Sequence, residues 1–195
     1  MRIRPATPAD RPAVEAVVAS AFDEPREGRV VQLLRRLDDS AATRADLVAV
    51  DADDAPDVVG HVRLSRAWVD ARSALVDVLV LSPLSVAPHR QGDGIGTRLV
   101  QAALEMAADL GAPAVFLEGG WDYYGKRGFQ GAEPLGFERP SLRIPAPAFQ
   151  VALLAAYKPG IAGRLVYPEA FWSTDTVGLR DPDLHRIEQR AAGRA

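Results

Sequence analysis

Residues Ser82 to Leu110 read SPLSVAPHRQGDGIGTRLVQAALEMAADL, and this stretch decides the fold. The apolar run that begins at Leu75 continues through Leu84 and Val86 as a strand and breaks at Pro88. A loop with glycines at 92, 94 and 96 follows, and the chain then enters a helix on which Leu99, Ala103, Met106 and Leu110 mark one face. Gly111 and Pro113 stop that helix. A loop of this kind turns several backbone N–H groups toward one point, and the positive end of the helix dipole points the same way. The expected guest is an anion.

Spacing narrows the anion. A dinucleotide fingerprint requires Gly-x-Gly-x-x-Gly, but Thr97 stands where the third glycine belongs. The Gly-Lys-Ser/Thr of a nucleoside triphosphate loop is absent. Pro83 lies inside the long strand Leu75 to Val86, and because proline donates no ladder hydrogen bond the strand is expected to bulge or part from a neighbour there. Ala114 to Leu117 is the next strand. The helix between the two strands makes them a parallel pair joined by a right-handed crossover.

Upstream, Ile3 begins a short strand, and Thr7, Pro8 and Asp10 form a helix start. Val14, Val17, Val18 and Ala21 mark the buried face of that helix, and Val30, Leu33, Leu34 and Leu37 that of a second. Leu47 to Val50 and Val58 to Leu64 read as two strands of a hairpin across the acidic turn 51–57, which lacks the glycine and distal glutamate of a calcium loop. Downstream, Leu142 to Ile144 and Phe149 to Leu154 are strand candidates. From about residue 175 the chain turns polar, so residues 1–175 read as one domain. Residues 176–195 read as a polar tail in which Asp181-Pro182 fits the start of a short helix.

Composition bounds the partners. A chain of 195 residues with net charge -3 and interleaved signs has room for one core and offers no basic face for nucleic acid. With no cysteine, disulfides, thiolate metal sites and a cysteine nucleophile are all excluded. No two of His61, His89 and His185 have ligand spacing, so no metal is expected. The N-terminus lacks a signal-peptide core and no window approaches the about 18 apolar residues of a membrane span, which points to the cytoplasm.

Gln91-Gly92-Asp93-Gly94-Ile95-Gly96, with the strand Leu84-Ser85-Val86 before it, resembles the Gln/Arg-x-x-Gly-x-Gly/Ala pyrophosphate loop of the GCN5-related N-acetyltransferases, the GNAT superfamily. Tyr124 with Gly128-Phe129 resembles the superfamily's Tyr-x-x-x-Gly-Phe element, and the paired Tyr123-Tyr124 is similar to its YhbS-type branch. The resemblance implies an α/β fold: a central, mostly antiparallel twisted sheet flanked by helices, with one parallel strand pair splayed at the acetyl-CoA site. It implies an N-acetyltransferase moving an acetyl group from acetyl-CoA, as co-substrate, to a primary amine on a small molecule or peptide, by direct attack in a ternary complex. An acyl-CoA-binding regulatory module without turnover is the alternative. A monomer or homodimer is expected, with no membrane or nucleic-acid partner.

The same resemblance assigns roles. The backbone of Leu84, Ser85 and Val86 would pair with the pantetheine arm, while Gly92, Gly94, Ile95, Gly96 and Thr97 would hold the pyrophosphate, with Gln91 fixing the loop and Arg90 and Arg98 as cationic neighbours. Tyr124 would act as general acid toward the departing thiolate. A base is needed because an amine of pKa about 10.4 is only about one part in a few thousand unprotonated at neutral pH. The position on the long strand where several relatives carry a carboxylate is Val80 here. Glu118, at the end of the strand beside the gap, is the foremost candidate; Glu27 and a water chain remain as alternatives, and for each glutamate a merely solvated or capping role stays open.

Overall fold

A computed structural model describes residues 1–25, 27–51 and 57–193. Among these, nine strands form a single mixed sheet. In chain order the major elements are β1 (Arg2–Pro5), α1 (Arg11–Ala21), α2 (Arg29–Asp39), β2 (Thr43–Val50), β3 (Val58–Ala71), β4 (Ala74–Val86), α3 (Ile95–Asp109), β5 (Ala114–Glu118), α4 (Trp121–Tyr124), β6 (Gln130–Gly131), β7 (Phe137–Glu138), β8 (Phe149–Leu153), β9 (Gly163–Val166), α5 (Glu169–Ser173) and α6 (Asp183–Ala192). Sheet order is β1-β2-β3-β4-β5-β8-β6, with β9 pairing β3 and β7. The pairings are antiparallel except β4–β5 and β7–β9, so the expected parallel crossover through α3 is present. Most of the acidic turn between β2 and β3, residues 52–56, lies outside the described residues.

Two features open the sheet. Parallel pairing of β4 with β5 is confined to Leu79↔Val115 and Val80↔Phe116, after which the strands part. On the other side of β4 the register slips, so that Ser82 and Pro83 together face the single residue Arg63. This is the bulge that a proline inside the strand requires, since its missing N–H cannot serve a ladder.

The helices cover both faces. α3 lays Leu99, Val100 and Ala103 on Val62, Leu64, Leu79 and Leu81. Its buried stripe is Ile95, Leu99, Val100, Ala103 and Ala107. Leu110, expected on that stripe, is half exposed at 50%. Leu110 stands one residue past the end of α3, where the chain is already turning through the left-handed Gly111, so the helix no longer holds it against the sheet. α1 and α2 cover the opposite face with Val14, Val17, Val18, Val31 and Leu34 against Val48 and Val50. Each such side chain, fully buried, contributes about 1.5–3 kcal/mol.

The expected helix start at Thr7 and Pro8 opens a single 3-10 turn, Pro8–Asp10, that leads into α1 at Arg11; the Thr7 N–H and hydroxyl both donate to Asp10, which also pairs with Arg4. Leu142 to Ile144 forms no strand. With Pro140, Pro145 and Pro147 around it the segment is a turn, burying Ile144 in the core and leaving Leu142 83% exposed. The remaining core is centred on Phe116, Phe137 and Phe149, with Phe116 edge-on to Phe137 at 4.9 Å and stacked on Phe149 at 5.7 Å.

Beneath α1 and α2, Asp46 of β2 meets both His61 and Arg63 of β3, and Arg63 continues to Asp38 and to the Leu34 carbonyl. His61 is therefore a buried, hydrogen-bonded residue. Burial pushes the Asp46 carboxyl up, but the hydrogen bonds from His61 and Arg63 outweigh it and hold the group at about 2. Such a carboxylate stabilises the fold above its unfolded value, and the contribution disappears as pH falls through about 2. Asp46→Asn should destabilise the fold by about 3 kcal/mol, because buried Arg63 and His61 lose their shared anion. A urea titration at pH 7 measures it; a loss below about 1 kcal/mol would show the cluster to be energetically idle.

Candidate active site

The parting of β4 from β5 leaves a cavity of about 510 Å³ lined by both strand ends, including Pro83, Leu84 and Glu118. A second cavity, about 440 Å³, is lined by Val86, Gly92, Gly94, Gly96, Thr97 and Arg127. Phe22, Leu84 and Tyr124 line both, so they stand where the two spaces meet.

The glycine loop is built as its sequence suggests. Gly92 and Gly94 have φ of 93° and 77°, a left-handed backbone that a side chain would strain. Gly94 caps the 15-residue α3, so the loop's N–H groups and the helix dipole share one direction. Gln91 donates through its side chain to the Val86 carbonyl at 3.2 Å, tying the loop to the end of β4. Gly96 has a different reason to be glycine: a β-carbon there would stand 2.3 Å from the Tyr123 hydroxyl. Ile95 points into the core, and the Ser85 side chain is buried, so these two residues offer a ligand only backbone. Arg90 is engaged with Asp51 and Asp93, whereas Arg98 is exposed and lines neither cavity.

Arg127 is the cation that motif reading passes over. It follows Tyr123 by four residues, lies over that ring at 3.5 Å, and donates to the Thr97 hydroxyl from two nitrogens at 3.0 and 2.7 Å. Its signal was available: a basic residue directly before Gly128, on the turn that returns to α3.

Tyr124 closes α4. Gly119 makes room for it, since a β-carbon there would lie 2.4 Å from the Tyr124 ring. The turn holding Gly119 is fixed by buried Gln150, which donates to the Gly119 carbonyl at 3.0 Å. Tyr124 packs edge-on to Tyr123 and Phe129. Burial, reinforced by Tyr123 and only partly offset by Arg127, raises its phenol well above the ordinary value, so it stays protonated.

Glu118 ends β5 and accepts the Gly178 N–H at 2.8 Å. Burial lifts its carboxyl from 4.5 to about 7, against the lowering effects of a hydrogen bond from Tyr167, the Gly178 N–H and the charge of Arg143. Tyr167 is itself buried and stacked on Phe171, and Arg143 pairs at 3.0 Å with Asp175, a carboxylate that Arg180 and Arg29 share. Glu27 sits elsewhere, exposed and paired with Arg35. Among the described residues no group of three or more His, Asp or Glu could hold a metal, and no helix is long and apolar enough to cross a membrane.

The sheet thus parts between two parallel strands, with the glycine loop following one of them and Glu118 and Tyr124 at and beyond the end of the other. The chain belongs to the acetyltransferase (GNAT) family, whose model matches residues 14–129, and is thereby an acetyl-CoA-dependent N-acyltransferase. It is 31% identical over 176 residues to the uncharacterized N-acetyltransferase YhbS of Escherichia coli K12, covering 88% of this chain and 98% of that one. With the uncharacterized N-acetyltransferase YjhQ of the same organism it shares 31% identity over 121 residues, 62% of this chain and 65% of that one. The crystal structure of E. coli YhbS in complex with CoA superposes with a TM-score of 0.77 at 27% identity, covering 87% and 91% of the two chains. A GNAT acetyltransferase from Brucella melitensis in complex with acetyl-CoA gives 0.68 at 26% identity, covering 87% and 97%.

Proposed function

We propose that the chain transfers the acetyl group of acetyl-CoA to a primary amine by direct attack while both are bound. The observation that carries this is the meeting of the two cavities at Leu84 and Tyr124, with Glu118 on the wall of one and the glycine loop on the wall of the other. In this reading the pyrophosphate of acetyl-CoA lies on the N–H groups around Gly92, Gly94, Gly96 and Thr97, with Arg127 beside it. The pantetheine arm follows Leu84 to Val86, whose freed edge can take an extra strand. The thioester then falls at the junction, next to Tyr124.

An arriving ammonium gives a proton to Glu118, whose raised value of about 7 makes it a better match than an ordinary carboxylate. The free amine adds to the thioester carbon. A backbone N–H near Val86 supports the oxyanion, as buried donors do in acyl transfer generally. Collapse expels the CoA thiolate, which takes the Tyr124 proton as it leaves; the nitrogen gives up its remaining extra proton to the Tyr124 oxygen, which yields the neutral amide and restores the phenol, and Glu118 returns its proton to solvent. Neither step needs an acyl-enzyme, and the chain has no cysteine to form an acyl-thioester.

Thiol release from acetyl-CoA in the presence of a panel of primary amines tests this reading. Amine-dependent release is expected. Acetyl-CoA binding without release for any amine would favour a regulatory acyl-CoA-binding module instead. A binding experiment tests the nucleotide end separately. Arg127→Ala should weaken acetyl-CoA by about tenfold in calorimetry, the effect of losing one charge-assisted contact. S-acetyl-pantetheine, which lacks the pyrophosphate, should bind wild type and variant alike. Equal weakening of both ligands would move Arg127 from the phosphates to a structural role.

A further inference from the structure

Resting on the acetyltransferase reading, we propose that the acceptor is a primary monoamine with an apolar, aromatic-sized body and no second charge of either sign. The cavity beyond Tyr124 has a volume of about 510 Å³, the size of a small-molecule pocket. Its walls come from Phe22, Val30, Leu33, Phe171, Leu179 and Ile187, drawn from both ends of the chain. Among the described residues lining it, Glu118 is the one carboxylate, and no lysine, arginine or histidine is present.

Charge arithmetic then selects the ligand. One carboxylate offsets one ammonium. A polyamine or an aminoglycoside would leave further ammonium groups against hydrocarbon, and an unpaired charge taken out of water is costly. A free amino acid would bring a carboxylate that meets no cation on these walls and that stands close to Glu118, a like charge. An arylalkyl or alkyl monoamine meets neither penalty, because its body replaces water against apolar side chains and its nitrogen reaches the single anion.

The test measures kcat/KM with acetyl-CoA saturating for a phenylalkyl monoamine, hexylamine, spermidine, an aminoglycoside and free phenylalanine. The monoamines should exceed the polycations and phenylalanine by about a hundredfold, the scale of one unpaired buried charge. A polycation or amino acid used as well as the monoamines would overturn the inference while leaving acetyl transfer intact. No turnover with any amine, with acetyl-CoA bound in calorimetry, would overturn acetyl transfer itself and the inference with it. Leu179→Asp supplies a second reading. Leu179 lines the cavity and is 39% exposed, so an added carboxylate is tolerated there. The variant should shift the ratio of kcat/KM for a diamine over a monoamine upward by about tenfold. An unchanged ratio would remove these walls from acceptor recognition and overturn the proposal.

Discussion

Glu118→Gln is expected to lower kcat/KM for amine acetylation by about 10²–10⁴-fold, the usual contribution of a positioned general base. It is also expected to abolish the rise in kcat/KM through pH 7 that the wild type should show. The direction follows from the carboxyl's state: burial lifts Glu118 to about 7, so its proton-accepting form accumulates only above that value. The groups facing it are the Tyr167 hydroxyl, the Gly178 N–H and the charge of Arg143; each favours the ionised form, and burial overrides them. The same shift provides an internal control. A carboxyl raised on folding contributes stability that is present below its ordinary value and is lost as pH climbs through about 7. The amide introduced by Glu118→Gln carries no charge to bury and keeps an oxygen for the Gly178 N–H, so the variant should be at least as resistant to urea as wild type at pH 8. An inactive but stably folded variant isolates the proton transfer. A variant that keeps wild-type activity and its acid limb would remove Glu118 from the mechanism and leave a water chain as the route for the amine proton.

Tyr124→Phe is expected to lower kcat by about 10–100-fold with little change in acetyl-CoA affinity, since the lost group acts on the departing sulfur. The phenol is held well above its ordinary value of 10, chiefly by burial, so no alkaline limb from Tyr124 should appear near pH 10. The distinguishing readout is the leaving group. A more acidic thiol needs less help to depart, so an acetyl donor with such a thiol should recover part of the rate lost in Tyr124→Phe. A uniform loss with every donor would instead mean that Tyr124 serves to shape the junction between the two cavities. The ring's fit over Gly119 and against Phe129 would be enough for that role.

The parts of the fold that could be read from the chain are those whose signals are local. The strand, glycine loop and helix from Leu75 to Asp109 announce themselves through an apolar run, three glycines and a helical period. The bulge at Ser82-Pro83 follows from a single missing N–H. Leu142 to Ile144 misled because an apolar triplet reads as a strand, whereas only Ile144 is buried and the prolines fold the segment into a turn. β9 and α5 gave no clear period at four and five residues long. In the candidate site, order along the chain pointed to Glu118, but not to what surrounds it. Its partner Gly178 is 60 residues away, and Tyr167 reaches it from the segment between β9 and α5. Contacts of that separation leave no mark on periodicity. The apolar cavity wall is of the same kind, gathered from Phe22 at one end of the chain and Ile187 at the other.

Initial velocities over a matrix of acetyl-CoA and amine concentrations test most directly whether the acetyl group passes straight from donor to acceptor at the junction of the two cavities. Direct attack in a ternary complex requires double-reciprocal lines that intersect. A family of parallel lines, the signature of an acetylated enzyme that releases CoA before the amine binds, would contradict it.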